Sequence, residues 1–234
     1  MKKIEQVFDQ KNHDVFIIAE IGKNFIQTLE DKSPEEYLNN ARILVKSAKV
    51  SGADAVKFQT HNLKDEQLNI NITAPHFKGS DRYSWVKRNE LGTPKDRFWQ
   101  PLKEYCDEIG ITFFTTPMSR GAAQKINDLV SFWKVGSGDL LDYVMIDYMI
   151  ETGKPIIFST GMSNIKEIDL TVAKLKKKKT KFAILHCVSK YPCPPADLNL
   201  STIDYFQERY DAPIGFSDHA VGKEGIESSL VAVK

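Results

Sequence analysis

ITFFTTPMSRGAAQKINDLVSFWKVGSGD, residues 111–139, carries the fold in miniature. It opens on a short run that is apolar throughout, ITFFTTP (111–117). It passes through helical spacing at 119–129 and returns to a second run, FWKVGSG (132–138). Continuous rather than alternating apolar runs are the mark of strands buried on both faces of a parallel sheet. Working outward, similar runs recur at FIIAEIG (16–22), AVKFQT (55–60), PIIFSTG (155–161), FAILHCV (182–188) and PIGFSDH (213–219). Helix-like segments lie between most of them. SPEEYLNNARILVKSAKVSG (33–52) opens with a capping Ser and a Pro at the first helical position and ends in Gly. Segments 142–152, 164–178 and 200–210 share the helical spacing. Strand, helix, strand is the grammar of a parallel α/β fold.

Closed barrels and doubly wound sheets both obey that grammar. The polar residues favour the barrel, because nearly every run ends in some. They are Glu20; Lys57 with Gln59 and Thr60; Thr115 and Thr116; Ser137 with Asp139; Ser159 and Thr160; His186; and Ser217-Asp218-His219. In a barrel all these ends meet at one mouth, where the active site sits. In an open sheet only those near the switch point would meet. The reading is a (β/α)8 TIM barrel in a single domain over 1–234, apparently truncated after about seven strands. GIESSLVAVK (225–234) reads as the start of the seventh helix. Residues 62–95 form a long polar connection with Gly and Pro, read as a lid over the mouth or a decorated surface loop. KLKKKKTK (174–181) reads as a solvated helix end and the loop after it, with a basic docking patch as the alternative.

Composition excludes several classes. A net charge of +1 gives no reason to expect a nucleic-acid or membrane-surface partner. No stretch approaches the roughly 18 uninterrupted apolar residues of a membrane span. The opening MKKIEQVFDQKNHD lacks the apolar run of a signal peptide, so a cytoplasmic location is expected. Cys106, Cys187 and Cys193 form no CxxC pair, which suits reduced thiols.

Lys57 and Lys134 lie inside otherwise apolar strands, where an ammonium group needs an anionic partner. A core carboxylate such as Glu20 would serve. So would a bound phosphate, with Ser137, Thr116 and backbone N–H groups completing the cradle. A Schiff-base lysine of a barrel aldolase is a third option. His186 and His219, at strand ends, could ligate a metal, move protons or satisfy a core hydrogen bond. A zinc site of His186, Cys187 and Cys193 matches no common spacing. His13 and His76 carry no signal, and Tyr83, Trp85, Phe98 and Trp99 read as packing.

AEIGKN (19–24), VKFQTH (56–61), FFTTPMSR (113–120), KVGSGD (134–139), PIIFSTGM (155–162), LHCVSKYP (185–192) and IGFSDH (214–219) occur in one order and spacing. Together they closely resemble the N-terminal barrel of the N-acetylneuraminate synthase family, which includes the legionaminic and pseudaminic acid synthases. The resemblance covers about residues 14–234. It implies condensation of phosphoenolpyruvate with an N-acyl hexosamine, with a divalent metal (Mn²⁺ or Mg²⁺), to give a nonulosonic acid and phosphate. It implies that Lys57, Thr116, Lys134, Ser137, Ser189 and Ser217 hold phosphoenolpyruvate. Gln59, Asp139 and Tyr191 would then face the sugar, Glu20 manage protons or water, and His219 ligate the metal. It also implies a homodimer. Three positions depart from the family: Phe25 where His is usual, Asp139 where many members have Glu, and Ser189 where some have Asn. The family's eighth strand, with its second metal-binding histidine, and its C-terminal antifreeze-like domain lie beyond Lys234. The chain as given is therefore expected to show little synthase activity. A short paralogue acting as a binding or scaffolding subunit is the alternative.

Overall fold

The computed structural model describes residues 4–8, 14–28, 30–73 and 80–233. His13, His76 and the middle of the 62–95 connection lie outside them.

Among the described residues, seven strands form where the apolar runs place them. They are β1 (Ile18–Gly22), β2 (Ala55–Thr60), β3 (Thr112–Pro117), β4 (Trp133–Val135), β5 (Ile156–Ser159), β6 (Phe182–Cys187) and β7 (Ile214–Ser217). All pair in parallel, as a three-stranded sheet β1-β2-β3 and a four-stranded sheet β4-β5-β6-β7. Neither sheet reverses its strand order. Neither therefore shows the switch point at which a doubly wound sheet reverses. The chain groups into two compact units, one from Phe16 to Ser131, the other from Phe132 onward with Ile4–Val15.

The first unit begins with β1 and helix α1 (Pro34–Val50). A capping box starts α1: the Ser33 hydroxyl accepts from the Glu36 N–H, and the Glu36 carboxylate accepts from the Ser33 N–H. β2 buries Ala55, Val56, Phe58 and Thr60, while Lys57 and Gln59 are less buried. Phe25, Phe58, Phe98, Trp99 and Phe113 make an aromatic core, with Phe25 and Phe98 at 4.9 Å and Phe98 edge-on to Trp99 at 4.8 Å. Phe25 is thus a core residue in this chain.

The 62–95 connection is not a bare loop. It contains α2 (Leu63–Glu66) and α3 (Arg82–Gly92). Asp81 caps α3 by accepting from the Ser84 N–H. Glu90, near its far end, accepts from Leu63 N–H and from Lys125, which anchors the segment to the rest of the unit. A further helix, α4 (Gln100–Glu108), follows a five-residue π turn that buries Phe98 and Trp99. After β3 comes α5 (Arg120–Ile126).

In the second unit β4 is only three residues long, because Gly136 turns the chain into a 3-10 turn at Ser137–Asp139. Helices α6 (Tyr143–Glu151), α7 (Ile165–Lys177), α8 (Thr202–Arg209) and α9 (Gly222–Ala232) complete the element order. The lysine run closes α7 and the turn after it, as a solvated helix end does. Trp133, Ile157, Phe158, Leu175 and Ile184 are buried in this unit's core. All three cysteines are free. No helix among the described residues is long and apolar enough to cross a membrane.

Candidate functional site

In the first unit four of the sequence-selected residues gather at the C-terminal ends of the strands. Parallel register sets Glu20 opposite Lys57, and Gln59 opposite Thr116. The Lys57 ammonium forms an ion pair with Glu20 and donates to the Thr116 hydroxyl at 3.1 Å. The Lys57 side chain is 14% exposed and that of Glu20 48%, so the pair faces solvent at its carboxylate end. The core-carboxylate partner is therefore present. Gly22 has φ +54°, and a Cβ there would stand 3.1 Å from Glu20 Oε1 and 3.9 Å from Gln59 Nε2. A side chain at this turn would crowd both polar groups and strain the backbone.

The second unit holds the remaining candidates. Lys134 is 4% exposed, and its ammonium donates to the Val135 carbonyl and the Ser159 hydroxyl, each at 2.7 Å. Ser137 accepts from the Gly161 N–H at 3.1 Å and donates to Cys187 Sγ at 3.3 Å. Gly161 is fixed by space: a Cβ would stand 2.6 Å from Ser189 Oγ and 2.9 Å from the Cys187 carbonyl oxygen. Ser217 ends β7 opposite Cys187. Asp139 lies in the 3-10 turn begun by Ser137.

His219 sits at the centre of this cluster. Its Nδ1 faces the Val188 carbonyl at 2.8 Å, so Nδ1 carries the proton and Nε2 the lone pair. The Tyr191 hydroxyl donates to Nε2 at 2.8 Å, and the two rings lie against each other with centroids 4.0 Å apart. Tyr191 itself is 73% exposed. Burial works to lower the His219 pKa, but the hydrogen bonds to Cys187 and Val188 outweigh it and hold the imidazolium above its ordinary value. Burial conversely pushes the Cys187 thiol up, and hydrogen bonds from His219 and Ser137 bring it net below its ordinary value. Asp218 holds the turn, accepting from Ala220 N–H and from the hydroxyls of Ser228 and Ser229 on α9.

His186 is a core residue. Its Nε2 bonds to the Leu198 carbonyl at 2.7 Å, and its ring stacks on Phe216. Among the described residues no group of three or more His, Cys, Asp or Glu is placed to hold a metal, which leaves the zinc arrangement without support. His219 offers an imidazole oriented by a carbonyl on Nδ1, while its Nε2 is engaged by the Tyr191 hydroxyl, which a metal would have to displace. It supplies one ligand only.

Reading the sequence placed Ser159 among the strand-end polar residues and Cys187 in a zinc arrangement, but gave neither its role in this cluster. It also passed over Lys23, just after Gly22. Burial, with Arg82 adding and Glu66 opposing, brings the Lys23 amine down to about 8. The signal for Cys187 was its place beside His186 at a strand end. Lys23 gave none, because its surroundings come from some sixty residues further along the chain.

Comparison with known proteins places these residues in context. Residues 44–234 match the model of the NeuB family. An uncharacterized protein of Methanocaldococcus jannaschii is 36% identical over 94% of this chain and 60% of its own length. The human N-acetylneuraminate-9-phosphate synthase is 32% identical, over 94% of this chain and 59% of its own. The N,N'-diacetyllegionaminic acid synthase of Legionella pneumophila is 30% identical, over 88% and 58% respectively. The chain thus spans about six-tenths of the length of these relatives. Among solved structures, the N-acetylneuraminic acid synthetase of Leptospira borgpetersenii, in complex with citrate, superposes with TM-score 0.76. It is 32% identical and covers 94% of this chain and 70% of its own. A truncated 3-deoxy-D-arabino-heptulosonate 7-phosphate synthase from Thermotoga maritima shares the fold alone, with TM-score 0.60 and 13% identity over 93% of this chain and 71% of its own.

Proposed function

Because the chain belongs to the NeuB family, we propose that it is the phosphoenolpyruvate-binding part of a sialic acid synthase-type transferase. The reaction joins phosphoenolpyruvate to an N-acyl hexosamine and releases phosphate. The observation that carries this reading is the Lys57 ammonium, set between Glu20 and Thr116 at the C-terminal end of the sheet beside Gln59. A lysine held by a carboxylate and a hydroxyl suits electrostatic work better than Schiff-base nucleophilicity.

The chemistry assigns roles to these groups. C3 of phosphoenolpyruvate attacks the sugar aldehyde carbon, whose oxygen takes up a proton and becomes a hydroxyl. C2, left cationic, adds water. The resulting tetrahedral carbon expels inorganic phosphate by C–O cleavage and becomes the ketone. By the resemblance to the family, Lys57, Thr116, Lys134, Ser137, Ser189 and Ser217 would neutralise and orient the phosphate and carboxylate. Glu20, half-exposed, takes the proton of the water that adds to C2. Gln59, Asp139 and Tyr191 hydrogen-bond the sugar. His219 would hold a divalent metal such as Mn²⁺ or Mg²⁺ through Nε2, with other ligands from outside the described residues. Such a metal supplies Lewis-acid polarisation of the aldehyde.

The products that the relatives' names give differ, an N-acetylneuraminate 9-phosphate in one and an N,N'-diacetyllegionaminic acid in another. The test is phosphate release and 2-keto acid formation with phosphoenolpyruvate, Mn²⁺ and a panel of N-acyl hexosamines. The chain as given should bind phosphoenolpyruvate but turn over little, and any turnover should need both substrates. Lys57→Met should weaken phosphoenolpyruvate binding by about 30-fold or more, since it strips a charge from a largely buried anion contact. Absence of phosphoenolpyruvate binding by the unsubstituted protein would refute the function.

A further inference from the structure

We propose that Cys187 is a positioning residue of the phosphoenolpyruvate site. Its sulfur accepts the Ser137 O–H in the free protein, and its S–H turns to donate to Ser137 Oγ once phosphoenolpyruvate engages that hydroxyl. This rests on the synthase reading above, which gives Ser137 to phosphoenolpyruvate, and adds a residue that reading does not use.

The argument begins with what one hydroxyl can do. Ser137 has a single O–H and two lone pairs. Its oxygen accepts from the Gly161 N–H at 3.1 Å, and its O–H donates to Cys187 Sγ at 3.3 Å. A phosphate or an ionised carboxylate offers acceptors only. To hold one, Ser137 has to withdraw its proton from the sulfur. That leaves one lone pair of Oγ unused and takes from Cys187 the donor it had. Cys187 is only 5% exposed, so neither group is well placed to recover its bond from water. A thiol is both a weak donor and a weak acceptor, so reversing the same contact restores the bond.

The surroundings of the sulfur favour that reversal. Among the described residues Sγ has two hydrogen-bonding contacts, Ser137 and His219. His219 Nδ1 stands 3.8 Å from Sγ and keeps its shorter bond to the Val188 carbonyl at 2.8 Å. That nitrogen carries the ring proton, so it meets the sulfur as a donor and cannot receive the S–H. Ser137 Oγ is the acceptor that remains. The contact is also held in place by space. A Cβ on Gly161 would stand 2.9 Å from Cys187 Sγ and 2.6 Å from Ser189 Oγ, so β6 and the turn after β5 are closely packed at this point. An S–H donated to Oγ also makes the Ser137 hydroxyl a stronger donor to the ligand, because hydrogen bonds in a chain polarise one another.

Infrared spectroscopy reads the reversal directly. The S–H stretching band lies clear of other protein absorption and moves to lower frequency when the thiol donates a hydrogen bond. Cys187→Ser removes the Cys187 band and so assigns it against those of Cys106 and Cys193. At about pH 6, where a thiol keeps its proton, saturating phosphoenolpyruvate should shift that band down. By calorimetry, Cys187→Ala should weaken phosphoenolpyruvate binding about tenfold, the worth of one hydrogen bond. Cys187→Ser, whose hydroxyl both accepts and donates, should stay within about threefold of the unsubstituted protein. Serine fills little more space than alanine, so that rescue separates hydrogen bonding from packing. A band that saturating phosphoenolpyruvate does not move overturns the proposal alone. So does undiminished affinity in Cys187→Ala, or a loss in Cys187→Ser as large as in Cys187→Ala. Failure of the unsubstituted protein to bind phosphoenolpyruvate overturns the proposed function as well.

Discussion

At the residue scale, small differences of space and charge decide what each position does. Gly161 is a case of space: the carbonyl of Cys187 and the hydroxyl of Ser189 leave no room for a methyl group. Gly161→Ala should cost about 1–3 kcal/mol by overpacking. It should also move Ser137, which accepts from the same residue's N–H. Thermal denaturation and phosphoenolpyruvate titration read the two effects separately. Lys23 is a case of charge. Its pKa falls to about 8 in the folded protein, against about 10.4 for an unfolded lysine. Between those values the unfolded chain binds the extra proton, so stability rises with pH across that window. Below pH 8 both states are protonated, and the full penalty, roughly 3 kcal/mol, is present. Lys23→Met should therefore raise the melting temperature most below pH 8, with the gain shrinking towards pH 10. A gain that did not vary with pH would contradict this account.

At the scale of elements, the strands were legible because a strand buried on both faces has no polar alternation to confuse it. The seven apolar runs and the seven strands coincide within two or three residues at each end. α1 was legible for a different reason, its capping signals, and Ser33→Ala should cost about 1 kcal/mol of stability by chemical denaturation. Asn164, which caps α7 by accepting from the Lys166 and Glu167 N–H groups, should behave alike. α3 was not legible. RYSWVKRNELG has little apolar periodicity, and what holds it is the Asp81 cap and ties from distant chain such as Lys125 to Glu90. α4 hid behind Pro101, which reads as a breaker although a proline in the first turn costs little. Of the site, the Glu20–Lys57 pair could be anticipated, since a lysine in an apolar strand demands a partner. The Lys23 surroundings could not, since Trp85 and Arg82 reach it only through α3.

At the scale of the whole molecule, each unit carries its own buried core, aromatic in the first and mixed aliphatic and aromatic in the second. The chain has three tryptophans, and their placement has a practical consequence. Trp99 is fully buried in the first core and Trp133 in the second, while Trp85 is half-buried under the Lys23 ammonium. Their emission is thus a set of local reporters. Trp133→Phe should leave a spectrum that follows melting of the first unit, and Trp99→Phe combined with Trp85→Phe one that follows the second. Trp85 alone should change brightness as the ammonium above it loses its proton near pH 8, and Trp85→Phe should silence that titration signal while both cores keep their blue-shifted glow.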